Sequence, residues 1–563
     1  MVFRPKIVYI ILPVMIAAVA GAVWLNGQGQ SLARGLVTDA TGPVAGAVVR
    51  VRGSENYVLT DADGNFRLNI EDAGAKLTAW KPGYFIGGGD AADFTTPDGA
   101  ILLLKRHPTG DNPDYTFVSP LLDMDDPNAC AHCHVERTGE TDGAMPVDEW
   151  LLDAHSGAAT NPRFLSLYNG TTLDGTPGAP TTYRFDPAQG LSVPVSPSMG
   201  QDGVGPGFRL DFPDMSGACA ACHVPVLALQ QPYHADPNLA EGVAQEGITC
   251  DFCHKIQDVK LRPDGLPDPG LPGVLSLEFL RPPEGGQVFI GPFDDTSGDD
   301  IYSALQDDSR LCATCHTGQF WDVKIYNSFG EWLESPYSDP VTGQTCQDCH
   351  MPHTGATTFV QFPPDDPQQL APRDPNTIFS HRMPGAADAA LLEHTAVLAV
   401  ETRRAGDTLQ VIVRVTNTGA GHHIPTDNPL RSMILLVQAA DGSGQPLALV
   451  DGPIIPAWGG EGDPAAGYYA GLPGVLYAKI LADFYTGETP TYAYWRPTRL
   501  VSDNRIPALA TDETAYTFAA PVGVEGVTVD ARLYLRRAFI ALMDSKGWDT
   551  PDMLMERQTV SVP

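Results

Sequence analysis

Hydrophobic and polar positions follow different patterns at the two ends and in the middle of this 563-residue chain. At the N-terminus, Arg4 and Lys6 precede an apolar run at 7–25, after which the sequence turns polar. A basic start followed by an apolar core is typical of an export signal, and the length of the run favours a membrane anchor over cleavage after Ala20. We therefore predict a signal peptide or membrane anchor at 1–33, with the body periplasmic or extracellular.

Both flanking regions have the pattern of β-structure. Short β-branched runs and turn residues alternate over 34–106, and Asp63-Gly64 predicts a hairpin turn. This segment resembles the carboxypeptidase regulatory-like, transthyretin-like β-sandwich, and the matching pieces lie at 35–39, 43–47, 60–66 and 83–84. The resemblance implies a spacer or adhesive module. Strand-like runs between turns also predict a C-terminal β-sandwich over 396–563.

The cysteines carry the strongest chemical signal, because all ten fall in five Cys-x-x-Cys-His units. Two cysteines at this spacing can form thioether bonds to the two vinyl groups of one haem, and the adjacent histidine then faces the iron. The residues of the five units are Cys130, Cys133 and His134; Cys219, Cys222 and His223; Cys250, Cys253 and His254; Cys312, Cys315 and His316; and Cys346, Cys349 and His350.

Structural zinc is the alternative interpretation, since Cys-x-x-Cys pairs combine in twos to make four-thiolate sites. Five pairs is an odd number, and zinc gives no reason for a histidine after every pair. The sequence therefore predicts five c-type haems, each with iron held by a proximal histidine.

The segment 107–395 between the β-regions is expected to be a pentahaem domain, irregular and mainly helical or loop. Short helices should carry the haem units, because one helical turn presents Cys, Cys and His to the same side. The second and third units, and the fourth and fifth, are close in sequence and predict close haem pairs. The loops between them contain many Gly and Pro residues, of which the chain has 57 and 50.

Nine histidines remain as possible second axial ligands. They are His107, His132, His155, His234, His353, His381, His394, His422 and His423. A haem that only passes electrons is typically six-coordinate, whereas an open iron position can bind substrate. A histidine on the surface or in a hydrogen bond is the plainer alternative for each of them.

Four of these histidines lie in three recurrent patterns. The segments 150–164, 219–225 and 246–254 resemble the family of the tetrahaem electron carrier that serves hydroxylamine oxidoreductase, which implies that His155 is a distal ligand. The segment 346–352 followed by 380–385 is similar to a second pattern, in which His381 is the ligand, although Met383 replaces an aromatic residue.

The third pattern is the loop 417–431, which resembles a sandwich-end loop of large exported multihaem cytochromes. It implies His422 as the preferred ligand and His423 as the reserve, with Asp427 in place of the usual glycine. The candidate iron ligands are therefore the five proximal histidines together with His155, His381, His394, His422 and His423.

The formal net charge of −33 is spread along the chain. This charge argues against nucleic-acid binding and favours cationic partners, such as basic cytochromes, although an acid-rich proteome would give the same composition. Membrane quinol oxidoreductases are a further class of redox partner, and a homo-oligomer or filament stays open.

Two functional classes follow from these residues. The first is an electron carrier that relays electrons outside the cytoplasm through low-spin haems. The second is a multihaem enzyme with one open haem that acts on a small nitrogen or sulfur compound. The surplus of histidines and the lack of a catalytic signature favour the electron carrier.

Overall fold

The computed structural model of the protein describes residues 31–121, 126, 129–137, 139, 145–199, 203–298, 300–362 and 372–562. The predicted signal or anchor has its apolar run outside these residues. Within the described ranges, no helix has the length and apolar character needed to cross a membrane.

Two four-stranded sheets form the N-terminal region. Its strands are β1 (Ser31–Asp39), β2 (Gly42–Pro43), β3 (Val48–Val51), β4 (Tyr57–Leu59), β5 (Asn65–Ile70), β6 (Lys76–Trp80), β7 (Gly87–Asp90) and β8 (Ala100–Leu103), and helix α1 (Ala91–Phe94) precedes β8. In one sheet β1 pairs with β2 and β5 antiparallel and with β8 parallel, and the other has the order β4-β3-β6-β7. Alternate residues of β5 are buried, and both sheets contribute to one apolar core.

The C-terminal region also contains two sheets. Its strands are β17 (Ala396–Ala405), β18 (Thr408–Asn417), β19 (Ser432–Ala440), β20 (Leu449–Asp451), β21 (Gly474–Asp483), β22 (Thr498–Asp503), β23 (Thr511–Ala519), β24 (Thr528–Arg536) and β25 (Met553–Ser561), with helix α12 (Ile540–Lys546) before β25. The sheet orders are β17-β18-β23-β20 and β22-β21-β19-β24-β25.

Strand β19 is buried on both of its faces, which explains its nearly continuous apolar sequence. Met433 and Leu435 pack into the core between the two sheets. Ile434 and Leu436 face the other way and join a second apolar cluster that includes Leu167 of the central segment. The C-terminal sheets therefore form one wall against the central segment.

The central segment consists of loops, short helices and two-stranded pairs. The helices are α2 (Pro146–Leu151), α3 (Pro162–Asn169), α4 (Phe208–Asp211), α5 (Ala220–His223), α6 (Pro225–Ala228), α7 (Cys250–Cys253), α8 (Arg310–Ala313), α9 (Ser328–Leu333), α10 (Cys346–His350) and α11 (Ala389–Leu392). The strand pairs are β9 (Thr182–Asp186) with β10 (Leu191–Ser196), β11 (Ile256–Val259) with β12 (Leu277–Phe279), β13 (Phe289–Gly291) with β14 (Asp300–Tyr302), and β15 (Gly318–Phe320) with β16 (Val323–Tyr326).

The expectation of a mainly helical pentahaem domain is therefore wrong. Among the described residues of this segment, the longest helix is α3, with eight residues. Glycine and proline end these helices early: α3 stops at Gly170, which has a φ of 71°, and Pro225 follows α5 almost at once. A Cys-x-x-Cys-His unit needs only one helical turn, so nothing in its chemistry extends the helix further.

Polar contacts attach both β-regions to the central segment. Arg50 of β3 lies 3.1 Å from the carboxylate of Asp294, and the amide of Gly53 donates to Asp295 at 2.6 Å. On the C-terminal side, the buried guanidinium of Arg496 donates twice to Asp211, at 2.8 Å each. Removing one partner of such a buried pair costs roughly 3–5 kcal/mol, so this pair fixes the two regions firmly together.

Candidate haem sites

Each Cys-x-x-Cys-His unit lies on a single turn of helix, as its spacing predicts. In the third unit, the amide of His254 donates to the carbonyl of Cys250 at 2.9 Å, and the Thr249 hydroxyl caps the turn by accepting from the Phe252 amide. The five turns are the 3₁₀ turn Cys130–His132 and the helices α5, α7, α8 and α10.

Four of the five units line one cavity of 1180 Å³. The thiols and proximal histidines of the first four units all face it, together with His155 and His381. The fifth unit reaches the same cavity through Gln347 and Met351. The units thus surround a shared interior space instead of standing apart on the surface.

Three of the proximal histidines face a second histidine ring. The ring centroids are 6.3 Å apart for His254 and His381, 6.3 Å for His350 and His422, and 6.4 Å for His316 and His155. Since a metal–imidazole bond is about 2.0 Å and the ring centre lies about 1.1–1.2 Å beyond the nitrogen, two axial imidazoles on one iron have centroids about 6.3 Å apart. All three pairs have the spacing that one iron between the rings requires.

Hydrogen bonds leave Nε2 free on three of the proximal histidines. Backbone carbonyls accept from Nδ1 of His134, His254 and His350 at 2.7 Å each. A carbonyl can only accept, so Nδ1 carries the hydrogen and Nε2 keeps its lone pair for a metal. These residues therefore fit the iron of a c-type haem.

His155 is held by its own loop and by the segment that leads into the third unit. Its Nδ1 lies 2.6 Å from Oδ1 of the buried Asp153, which also accepts from the His155 amide at 2.8 Å. Gly247 has a φ of 71°, and a side chain there would come within 2.2 Å of the His155 carbonyl oxygen. A glycine is therefore needed at this close approach.

A buried carboxylate on α2 positions His381. Glu149 accepts from the His381 amide at 2.7 Å and from the Ser380 hydroxyl at 2.8 Å. Burial raises the pKa of Glu149, although these two hydrogen bonds oppose the rise. The contact joins residues 232 positions apart and fixes the turn that carries the ring.

The two adjacent histidines of the C-terminal loop point in different directions. The fully buried Asn417 donates to the carbonyl of His422 at 2.8 Å, and the His422 ring faces His350. The amide of His423 donates to Glu331 at 3.2 Å, and its Nδ1 lies 3.7 Å from that carboxylate. Asp427 has a φ of 68°, the left-handed conformation that favours the glycine of the resembled loop.

Phenylalanine rings pack directly on two of the proximal histidines. Phe164 stacks on His223 with centroids 3.9 Å apart and planes within 7°, and Phe289 stacks on His254 at 4.0 Å. At such distances the rings are in van der Waals contact with no atom between them. The stacks therefore fix the orientation of the imidazole, and they are distinct from the histidine pairs.

Burial keeps most of these imidazoles neutral, which is the form that binds iron. It lowers the pKa of His254 to about 3 and those of His223 and His381 to about 4. His155 is the exception. Burial opposes its charge, but the hydrogen bond and charge of Asp153 outweigh that effect and raise its pKa.

Thiol contacts show which units are neighbours. The thiol of Cys250 lowers the pKa of Cys130, while the thiols of Cys315 and Cys346 raise the pKa of Cys222 and Cys312, so each of these pairs of thiols lies close together. The fourth and fifth units are thus adjacent. The second unit shares an apolar cluster with the third, but its thiol contacts the fourth. Among the residues described, no group of three or more His, Cys, Asp or Glu side chains is arranged to hold a bare metal ion.

The structure places the other candidate histidines outside these pairs. His394 is exposed on the turn after α11. His353 packs on Phe379 with centroids 4.8 Å apart, and the ring of His107 lies 6.0 Å from Phe85. His234 is exposed, and His132 lies within the turn of the first unit.

Sequence reasoning missed the groups that hold the histidines in place. Asp153 is two residues from His155, a spacing that is readable in the sequence as a short polar turn. Glu149 carries no such signal, because its contact with His381 forms only when distant segments fold together. The stacked phenylalanines Phe164 and Phe289 were equally hidden among ordinary apolar positions.

No family model matches the sequence, and no curated protein is similar enough to match it. Among solved structures, the chain is similar to a penta-heme cytochrome c552 from Thermochromatium tepidum, with 18% identity and a TM-score of 0.49 over 74% of this chain and 96% of that one. It is also similar to a family 123 glycoside hydrolase from Clostridium perfringens, with 8% identity and a TM-score of 0.11 over 28% of this chain and 21% of that one. Similarity this low supports no conclusion about fold or function.

Proposed function

We propose that this protein is a multihaem c-type cytochrome that relays electrons outside the cytoplasm through five covalently bound haems. The observation that carries the proposal is the spacing of 6.3–6.4 Å in three histidine pairs, each of which joins a proximal histidine to one from another segment. Bound haem supplies a reversible one-electron change at its iron. The residues of this chain attach it, orient it and keep water away.

The attachment residues are the ten cysteines, and the proximal ligands are the five histidines that follow them. We assign His155 to the iron of His316, His381 to that of His254 and His422 to that of His350. Each distal ring comes from a different part of the chain, so the irons would be held rigidly between segments. Two imidazoles favour a low-spin iron with nearly constant geometry, which suits electron transfer.

The arrangement of the units supports a relay. Thiol contacts join the first unit to the third, the second to the fourth and the fourth to the fifth. Shared apolar packing joins the second to the third. Haems attached at neighbouring thiols lie close together, so an electron could pass among all five without leaving the protein.

Export and partner choice belong to the same proposal. Covalent haem attachment and the N-terminal apolar sequence both fit a protein that works outside the cytoplasm. With a formal charge of −33, its encounter with a basic redox protein should be faster than with an acidic one, and the difference should shrink as salt is raised.

Haem counting tests the proposal. A pyridine-haemochrome assay and intact-mass measurement of the fully matured protein should give five covalent haems per chain. The double variant Cys346→Ser with Cys349→Ser should give four. Bound zinc in place of haem, or fewer than five haems in the mature wild-type chain, would overturn the proposal.

One observation favours a second candidate function, a redox enzyme with an open haem. The hydroxyls of Tyr326 and Tyr494 form a hydrogen bond inside the cavity. Burial raises the pKa of both, and nearby Cys219 and Asp427 add to the rise. Two protonated phenols beside the second unit could donate hydrogen bonds to a small substrate. Stoichiometric carbon monoxide binding with sustained nitrite or hydroxylamine turnover would favour this enzyme over the carrier.

A further inference from the structure

Three of the arginines that line the cavity come from three separate segments. Arg163 lies in the first turn of α3, Arg431 immediately precedes β19, and Arg537 immediately follows β24. All three line the cavity, and we name them the arginine cluster. The segments are packed together, because Leu167, Leu430 and Ala538 belong to one buried apolar cluster.

The arginine cluster has little negative charge to balance it. Arg163 donates to the neutral hydroxyl of Thr550 at 2.6 Å. Arg431 lies 3.7 Å from Asp427 and donates to the carbonyl of Thr426 at 3.2 Å. For Arg537, the described parts of the chain provide no hydrogen bond or ion pair to a carboxylate. The three guanidinium groups thus have one neighbouring carboxylate among the described residues, that of Asp427.

Such a gathering is unfavourable by itself. Burial lowers the pKa of Arg537, and the charges of Arg163 and Arg431 lower it further. Like charges at close range repel, and partial burial strengthens the repulsion. In a chain with 68 acidic and 35 basic residues, the absence of an acidic partner for Arg537 among the described residues is unusual. A bound anion would offset the repulsion between the guanidinium groups.

The cluster lies beside the second haem unit. Phe164, the neighbour of Arg163, stacks on the ring of His223 at 3.9 Å. This stacking contact ties the segment of Arg163 to the second unit.

We infer that the arginine cluster binds carboxylate, and that the carboxylates are the propionates of the haem attached at Cys219 and Cys222. The planar guanidinium group matches a carboxylate with two parallel hydrogen bonds, and it stays charged when partly buried. This inference rests on the proposed haem attachment. Its consequence is electrical: cations that neutralise propionates make the nearby iron easier to reduce.

A free oxyanion such as nitrite or sulfite would be recognised by the same chemistry. The haem propionates and a free oxyanion differ in whether they can be removed from the protein. Propionates belong to the covalent haem and stay with the purified protein, whereas a free anion exchanges with the buffer. A titration with added anion therefore separates the two sources.

The test is a redox titration of the fully haem-loaded chain, followed in the visible spectrum. Arg537→Gln should lower the reduction potential of one haem by about 59 mV, a tenfold change in its reduction equilibrium, and leave the others unchanged. Arg537→Lys should stay near the wild-type value, because it keeps the charge. Arg499→Gln is the matched control, since Arg499 is an exposed residue of β22, and it should cause no shift.

Added nitrite or sulfite should leave the wild-type haem spectra unchanged. If Arg537→Gln does not fold, Arg163→Gln replaces it, with the same expected shift. Unchanged potentials in a folded variant that still holds five haems would overturn the inference while leaving the proposed function intact. Anion-dependent spectra that disappear in the variant would also overturn it, in favour of a free-anion site. A wild-type chain without covalent haem would instead overturn the proposed function.

Discussion

The surroundings of His254 and His223 differ in one respect that bears on iron coordination. Both histidines end a Cys-x-x-Cys-His unit, both are neutral through burial, and both stack on a phenylalanine at 3.9–4.0 Å. His254 also faces His381 at 6.3 Å, whereas the ring contact recorded for His223 within the described residues is with Phe164.

The difference separates two structural tasks. The Cys-x-x-Cys-His unit supplies the attachment cysteines and the proximal imidazole, and the stacked phenylalanine orients that imidazole. In the proposed assignment, the sixth iron position would depend on a segment far away in sequence, which Glu149 anchors in the case of His381. If the proposed haems are bound, their attachment is a local property of the sequence, and coordination of the opposite iron face is a property of the tertiary fold.

The largest effect is expected from removing a distal ring. His381→Ala should open one iron position, so one haem should change from low spin to high spin and bind carbon monoxide, while the other four keep their spectra. Electron paramagnetic resonance and carbon monoxide titration measure both changes. His394→Ala is the control, because His394 is exposed, and it should change neither. If His381→Ala leaves the low-spin signal intact, the pairing with His254 is wrong.

A smaller effect is expected from a change that keeps a distal imidazole in place but makes it a weaker electron donor to the iron. The carboxylate of Asp153 makes the His155 imidazole a stronger donor, which stabilises ferric iron. Asp153→Asn should raise the potential of one haem by up to about 59 mV and keep it low spin. A redox titration measures the shift. A change of spin state would contradict an orienting role for Asp153, and an unchanged potential would contradict its electronic role.

The smallest effect is expected from removing the phenylalanine ring that stacks on His254 or on His223. Phe289→Leu and Phe164→Leu should each lower the free energy of unfolding by about 1 kcal/mol, because each removes one aromatic stack. Denaturant unfolding of the haem-loaded protein measures the loss. Phe185→Leu is the control, since Phe185 is largely exposed on β9. If one substitution clearly lowers the free energy of unfolding and the other does not, aromatic stacking stabilises only one of the two sites.

The features that the sequence predicts well are those with a short repeat. Period-two patterns indicate β-structure at both ends, and the five-residue units predict single turns that carry the attachment residues. The helical content of the central segment was overestimated, because one turn satisfies each unit and Gly or Pro ends the helix soon afterwards. The Glu149–His381 contact and the arginine cluster bring together residues that are hundreds of positions apart, so no local pattern reveals them.

The most direct test of the paired histidines combines electron paramagnetic resonance with near-infrared magnetic circular dichroism on the oxidised, fully loaded wild-type protein. Together these methods identify the two axial ligands of each low-spin haem. At least three haems per chain should show two imidazole ligands, one for each histidine pair at 6.3–6.4 Å. Fewer than three bis-imidazole haems in a chain that holds five would contradict the assignment of His155, His381 and His422 as distal ligands.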